Sequence, residues 1–504
     1  MMKLFYLLDN PEQRQVALIQ LLSRNQQGIS LQTIAEKLDA NRTTIKEDIG
    51  RINVKFSELS STLKLTVTES VVHFKRDTHT AANELYYAYL KDSTKYRILM
   101  YLFDHGKIDS ITTSTYLNIS LSTLERRIRE LNRLLIDFHI TLKSGKLVGS
   151  EIQIRHFFLQ LIWFSYPYKL TETQFNTPKI EEIVHFFNQR QQPLLTTIGT
   201  KKLMIYLQTV ETRRHLVSPR LPTERLKKLT FQSHLFQQIH NFFDNQPTFS
   251  HMHFSTNEQK LLYLFLISNF CFDTSHSQVR HNIMTDAKHC IPVWSLQQSI
   301  FNQIKIRLTP YKLTTDFFNQ VEITLIQIHY RAVFMRGWIA IFGDQGIYDR
   351  LIFLPEVKFF SHCRALCQQV VDLLGLADND ATTLFSEISG RYAAIFQLAF
   401  QHINYQLRIG CNFGYEDTMA QIIINRLQQK IDARLNFKIM TYQKDQQYDI
   451  IISNFHQTYS MQTNYQEFVM LSPEYDTDFP ELNRFLEQAY FNKLKSPSHY
   501  PMPR

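Results

Sequence analysis

Apolar residues recur at helical spacing through Val16, Leu18, Ile19, Leu21 and Leu22, which predicts a first amphipathic helix over residues 11–25. Gly28 breaks it. Ser30 can then cap a short helix over 31–38, with Ile34 and Leu38 inward and small Ala35 allowing close helix contact. Asp39-Ala40-Asn41 reads as a turn, and a third helix over 42–55 follows with Ile45, Ile49 and Ile52 buried. The segments Leu63 to Val67 and Val71 to Phe74 then alternate like a hairpin. The pattern returns further along. Tyr96 to Phe103 repeats the first helix, ended by Asp104-His105-Gly106. Ser110 to Leu117 repeats the second, and Asn118-Ile119-Ser120 the turn. The third helix, residues 120–135, buries Leu124, Ile128, Leu131 and Leu135. Ile140 to Lys143 and Lys146 to Val148 then flank Ser144-Gly145 as a second hairpin.

Helix, short helix, turn, polar-faced helix and hairpin together describe a winged helix-turn-helix unit, here present twice. The exposed residues of both third helices are cations and short hydroxyls, which suits a helix laid in the major groove of duplex DNA. Arg42, Thr43, Thr44 and Lys46 are the expected contacts of the first unit, and Ser122, Thr123, Arg126 and Arg127 those of the second. Arg129, Arg133, Lys143 and Lys146 are expected on phosphates. Ser122 and Glu125 have capping-box spacing, and Ser120 is a second possible cap. Charge agrees with this placement. Residues 1–150 hold 21 Lys and Arg against 16 Asp and Glu, so they carry +5 of the net +9.

Composition narrows the remaining classes. The chain has 504 residues, 44% hydrophobic and 20% charged, so several globular domains are expected. Only 13 residues are Gly, a poor supply for Gly-rich phosphate loops. The cysteines are Cys271, Cys290, Cys363, Cys367 and Cys411, odd in number and without a Cys-x-x-Cys pair; reduced, buried thiols are expected rather than a disulfide framework or a metal site. His362-Cys363 and Cys367 could share a helical turn, but packing is the simpler role. No signal peptide opens the chain, and the apolar run Leu261 to Phe272 is too short to span a bilayer. No nucleotide loop, zinc spacing, nucleophile elbow or carboxylate pair suggests an enzyme. No catalytic residues, cofactor or metal are expected, and a cytoplasmic protein is.

Directly after the second unit comes Leu147-Val148-Gly149-Ser150-Glu151-Ile152-Gln153-Ile154-Arg155-His156-Phe157-Phe158, read as a strand running through Gly-x-Glu into Ile-Arg-x-Phe. Two winged units followed by this junction resemble the Mga-type transcriptional regulators of Gram-positive bacteria, over nearly the whole chain. The fold expected is mainly α and multidomain. Winged helix-turn-helix domains fall at 1–80 and 81–160, helical bundles at 161–285 and 286–403, a small α/β domain at 404–495, and a disordered tail at 496–504. The middle has its own helical periodicity, as in Leu203 to Val210 and Val321 to Tyr330, with breaks near 218–222, 244–247 and Ile291-Pro292.

In this family the two bundles resemble phosphotransferase-system regulation domains, whose histidines accept phosphate from sugar-transport phosphocarriers. An acceptor must be exposed and have cations nearby. His215 after Arg213-Arg214, His402, and His329 before Arg331 are the candidates. Residues 406–411, 418–435, 436–442 and 448–454 read as strand, helix, strand and strand, which looks like the B component of sugar phosphotransferase enzymes. That resemblance puts a phosphate-carrying Cys in the loop after the first strand, matched by Cys411-Asn412-Phe413-Gly414 and Thr418. Glu416-Asp417 would repel phosphate there, and a degenerate domain used for self-association is the expectation. The resemblance implies a DNA-binding activator, double-stranded DNA and phosphocarriers as partners, a homodimer formed through the C-terminal half, and no membrane. The alternative is an RNA-binding antiterminator with similar sensing domains.

Overall fold

The computed structural model describes residues 2–25, 27–76, 80–166, 175, 177–189, 193–217, 221, 226, 229–245, 254–309, 313–340, 357–402, 406–432, 435–459 and 465–495. The expected tail at 496–504 lies outside them. The chain is mainly helical and forms two compact units. Among the described residues one unit holds 2–301, 320–340 and 364–391, and the other holds 302–319, 357–363 and 392–495.

The first unit opens with a short strand β1 (Met2–Lys3) and a 3-10 turn over Leu4–Leu7. Helices α1 (Asn10–Ser23), α2 (Leu31–Lys37) and α3 (Arg42–Leu59) follow. A three-stranded sheet orders β2 (Ile29–Ser30), β4 (Val71–Lys75) and β3 (Lys64–Thr68), antiparallel throughout. Gly28 precedes it at φ +81°, and a Cβ there would come within 2.8 Å of the Val72 carbonyl. A helix absent from the sequence reading, α4 (Ala82–Leu90), leads into the second set. That set is α5 (Thr94–His105), α6 (Ser110–Leu117), α7 (Leu121–Leu135) and the hairpin β5 (Thr141–Lys143) with β6 (Lys146–Val148). Gly145 turns this hairpin at φ +74°, where a Cβ would stand 2.1 Å from the Ile108 carbonyl oxygen.

The junction after β6 corrects one expectation. Gly149 ends the strand, and Glu151–Ser165 is a helix, α8. Nearly every residue of α8 is buried, including Glu151, Arg155 and His156. A buried charge needs a partner, and Glu151 and Arg155 form a balanced group with Glu258 and Arg213. Arg155 donates to Glu151 (2.8 Å) and, through both terminal nitrogens, to Glu258 (2.6 and 2.9 Å). Arg213 donates twice to Glu151, at 2.7 Å each. Glu258 and Arg213 belong to α12 (Thr256–Ser268) and α10 (Thr197–Val217), so the group fastens α8 to both. The remaining helices reaching into this unit are α9 (Pro178–Asn188), α11 (His234–Asn245), α13 (Ser277–His289), α14 (Ile291–Leu308), α15 (Thr315–Phe334), α16 (Val357–Leu374) and α17 (Asp378–Gln401). Residue 285 lies inside α13. The chain breaks instead at Cys290, and Pro292 sits in the first turn of α14, where its missing N–H costs no helical bond. A two-residue strand β7 (Ile339–Ala340) pairs in parallel with β1.

The second unit carries a four-stranded parallel sheet, ordered β11 (Gln466–Val469), β10 (Ile450–Ser453), β8 (Leu407–Asn412) and β9 (Phe437–Thr441). Helix α18 (Asp417–Lys430) links β8 to β9, and α19 (Phe479–Lys495) packs on β11. Strand β11 and α19 had no counterpart in the sequence reading. All five cysteines are buried. No helix among the described residues is long and apolar enough to cross a membrane.

Candidate nucleic-acid interface

The first head is held together from below its reading helix. Asp48 of α3 is buried and accepts Arg14 Nε (2.5 Å) and Gln15 Nε2 (3.0 Å) from α1, while Ile45, Ile49, Ile52 and Phe56 fill the core. Ser30 caps α2 by accepting from Thr33 N–H at 3.1 Å. Asp39 turns the chain at φ +47°, and Asn41 caps α3 by accepting from Thr44 N–H at 2.7 Å. That leaves Arg42, Thr43 and Lys46 exposed and Thr44 half-buried. Arg42 donates Nε to Gln32 at 2.8 Å, so it is tied back to α2. Glu47, Gly50, Arg51 and Val54 are also exposed on α3, and the sequence reading did not place them.

The second head repeats this plan. Asp109 caps α6, and Asn118 makes the turn at φ +56°. Ser120, not Ser122, is the cap of α7, accepting from Thr123 N–H at 3.2 Å. Its hydroxyl also meets those of Ser122 (3.0 Å) and Thr123 (2.9 Å), so the three short side chains form one hydrogen-bonded group. Arg126, Arg129 and Arg133 are exposed and have no hydrogen-bond or ion-pair partner among the described residues. Lys143 and Lys146 face each other across the wing, both exposed.

Arg127 departs from its expected role. It is half-buried and bonded to Asp9 (2.6 Å) and Glu130 (2.8 Å), so its guanidinium is engaged within the protein. Its side of α7 turns inward because it lies three residues after Leu124 and four before Leu131, on the face those two bury.

Each head contains a clamp that hydropathy does not reveal. Asn53 of α3 donates to Leu65 O (2.9 Å) and accepts from Leu65 N–H (2.7 Å), which fixes the first wing. Asn132 of α7 does the same with Leu142, at 3.0 and 2.6 Å. Aligning the heads on their capping residues would have shown Asn at the same place in both.

The histidine candidates separate sharply. His329 is fully buried with Nδ1 on Gln297 (2.8 Å), and burial pushes its pKa down to about 3. It lacks the exposure that a phosphoacceptor needs, and its neighbour Arg331 is committed to Glu387. His215 and His402 are exposed. The cations expected beside His215 point elsewhere, since Arg213 is bound to Glu151 and Arg214 lies 5.9 Å from the Phe254 ring centre. His402 keeps Nδ1 on the Leu398 carbonyl at 2.9 Å. Cys411 is not in a loop. It is paired within β8 against Thr441 and Ile452, and burial pushes its thiol well above the ordinary range. A protonated, enclosed thiol has no access to phosphate.

Residues 14–62 match a helix-turn-helix domain family, and residues 78–162 match the Mga helix-turn-helix domain. Over 177 residues, 34% of the chain, the sequence is 27% identical to a curated protein of Streptococcus pneumoniae serotype 4 named "Putative trans-acting regulator". The aligned stretch covers 34% of that protein, so the chain spans about a third of its relative's length.

Proposed function

We propose, from the premise that a Mga-type helix-turn-helix domain follows a first helix-turn-helix domain in this chain, that the protein is a DNA-binding transcription regulator. One observation carries the reading: Arg126, Arg129 and Arg133 stand exposed, with no hydrogen-bond or ion-pair partner among the described residues, on a helix capped like the reading helix of the first head. Cations left unpaired on a rigid helix face match the regular negative charge of a duplex. Binding is tested by titrating duplex DNA and structured RNA over a salt series. Tighter, strongly salt-dependent binding to the duplex is expected, and a preference for RNA would reject the reading in favour of an antiterminator.

Regulation is proposed to be activation of transcription, through a homodimer formed by the C-terminal half and tuned by phosphocarriers acting on exposed histidines. His215 and His402 have the required exposure. Phosphate incorporation from a phosphocarrier should fall in His215→Ala or His402→Ala, and unchanged labelling in both removes the assignment. Sedimentation of the full chain reads the dimer directly.

A further inference from the structure

Of the four arginines on α7, Arg127 alone is turned into the protein, and what it meets belongs to the other head. Its terminal nitrogen lies 2.6 Å and 2.7 Å from the two carboxylate oxygens of Asp9, the capping residue of α1. Its other terminal nitrogen meets Glu130 at 2.8 Å. Lys95 of α5 stands beside this pair and donates to the carbonyls of Tyr6 (2.6 Å) and Leu8 (3.1 Å), and Ser93 Oγ donates to the Leu7 carbonyl. The opposite reading helix is tied as well. Lys55 of α3 donates to Asp92 (2.6 Å) and to the Ala88 carbonyl (3.2 Å). Beneath these contacts Leu4, Leu7, Leu8, Leu99 and Leu131 share one apolar core.

The joint is well packed at its base and open at its rim. A cavity of about 750 Å³ lies between the segment Tyr6 to Pro11 and the face of α7 carrying Arg126 to Leu134. Arg127 spans this gap, and its ion pair with Asp9 ties α7 to the N-terminal end of α1 at the rim, above the apolar base. We propose that Arg127 is a positioning residue, whose bridge to Asp9 fixes α7 relative to α3 so that one chain recognises a two-part DNA site of fixed spacing. A rigid pair of heads cannot follow an inserted base pair, because each one both rotates and translates the second half-site. This inference rests on the DNA-binding reading above.

The test uses the full chain and a duplex selected by it from a randomised library, mapped by footprinting. Two protected segments are expected. Insertions of 2 and of 10 base pairs between them should each weaken wild-type binding at least tenfold, since restoring the phase does not restore the distance. Arg127→Gln and Asp9→Asn should bind the parent duplex a few-fold more weakly and pay less than threefold for the 2-base-pair insertion. Arg127→Lys, which keeps the charge, should regain part of the spacing preference. Asn at position 9 can still cap α1, so that variant keeps the head folded and decides the matter if the Arg127 variant unfolds. Failure to select any duplex sinks the DNA-binding reading, and this inference with it. A single protected segment, or wild-type binding indifferent to both insertions, overturns the rigid joint while leaving DNA binding intact. Equal insertion penalties in wild type and both variants overturn the role of Arg127.

Discussion

Counted from their capping residues Asn41 and Ser120, the two reading helices bury matching residues and expose different ones. Ile45, Ile49, Ile52 and Phe56 of α3 correspond to Leu124, Ile128, Leu131 and Leu135 of α7, and Asn53 corresponds to Asn132. Outside, Arg126, Arg129 and Arg133 occupy the positions held in the first head by Glu47, Gly50 and Val54. Inside, Asp48 and Arg127 are equivalent and opposite in charge. Asp48 binds Arg14 within its own head, whereas Arg127 reaches Asp9 in the other. One scaffold therefore supports two duties. Both heads present exposed cations, Lys46 and Arg51 on α3 and Arg126, Arg129 and Arg133 on α7, and the first also supplies the carboxylate that Arg127 meets. Similar folds do not imply equal shares of the binding energy.

That division can be broken most directly by charge removal. Arg126→Ala with Arg129→Ala should lower duplex affinity about a hundredfold, at about 1–3 kcal/mol for each arginine contact, and reduce the salt slope by about two. Arg42→Ala with Lys46→Ala should cost roughly tenfold, because Arg42 is already tied to Gln32 and Glu47 offsets the local charge. Equal losses in an equilibrium binding titration would refute the asymmetry.

A smaller effect addresses the shared plan. Asn53→Ala and Asn132→Ala each remove one donor and one acceptor from a wing strand. Each should destabilise its head by about 1–2 kcal/mol in chemical denaturation. A loss in one head and none in the other would show that the clamps are not equivalent. The smallest change should run the other way. A Cβ at Gly50 would meet nothing within 4 Å, so Gly50→Arg should stabilise α3 by about 0.5–1 kcal/mol and tighten DNA binding a few-fold. Unchanged affinity would mean that this face of α3 does not approach the duplex.

Hydrophobic spacing located both three-helix sets and both wings, because their cores are built from local apolar periodicity. Helix α6 spans Ser110–Leu117 and α7 ends at Leu135, as the pattern requires. The spacing rules did less well where burial is complete. In α8 almost every side chain is enclosed, so no polar face marks the helical period, and Glu151, Arg155 and Glu258 become core residues through pairing alone. Strand β11 was missed for another reason. It is short and has its place through parallel pairing with β10, far from the turn signals of a hairpin.

Local sequence thus determined that this chain carries two capped, cation-bearing reading helices and a C-terminal strand-helix-strand, since caps and amphipathic stripes act over a few residues. Tertiary structure alone decided which charges remain available. Arg126 and Arg127 are neighbours of the same type, yet one faces solvent, unpaired among the described residues, and the other is half-buried and paired with Asp9 and Glu130. His329 and His402 divide in the same way, one in the core and one outside. The reason is physical: periodicity gives a side chain's direction from its own helix, but its partner comes from a segment distant in the chain, and pairing and desolvation determine what the charge can do.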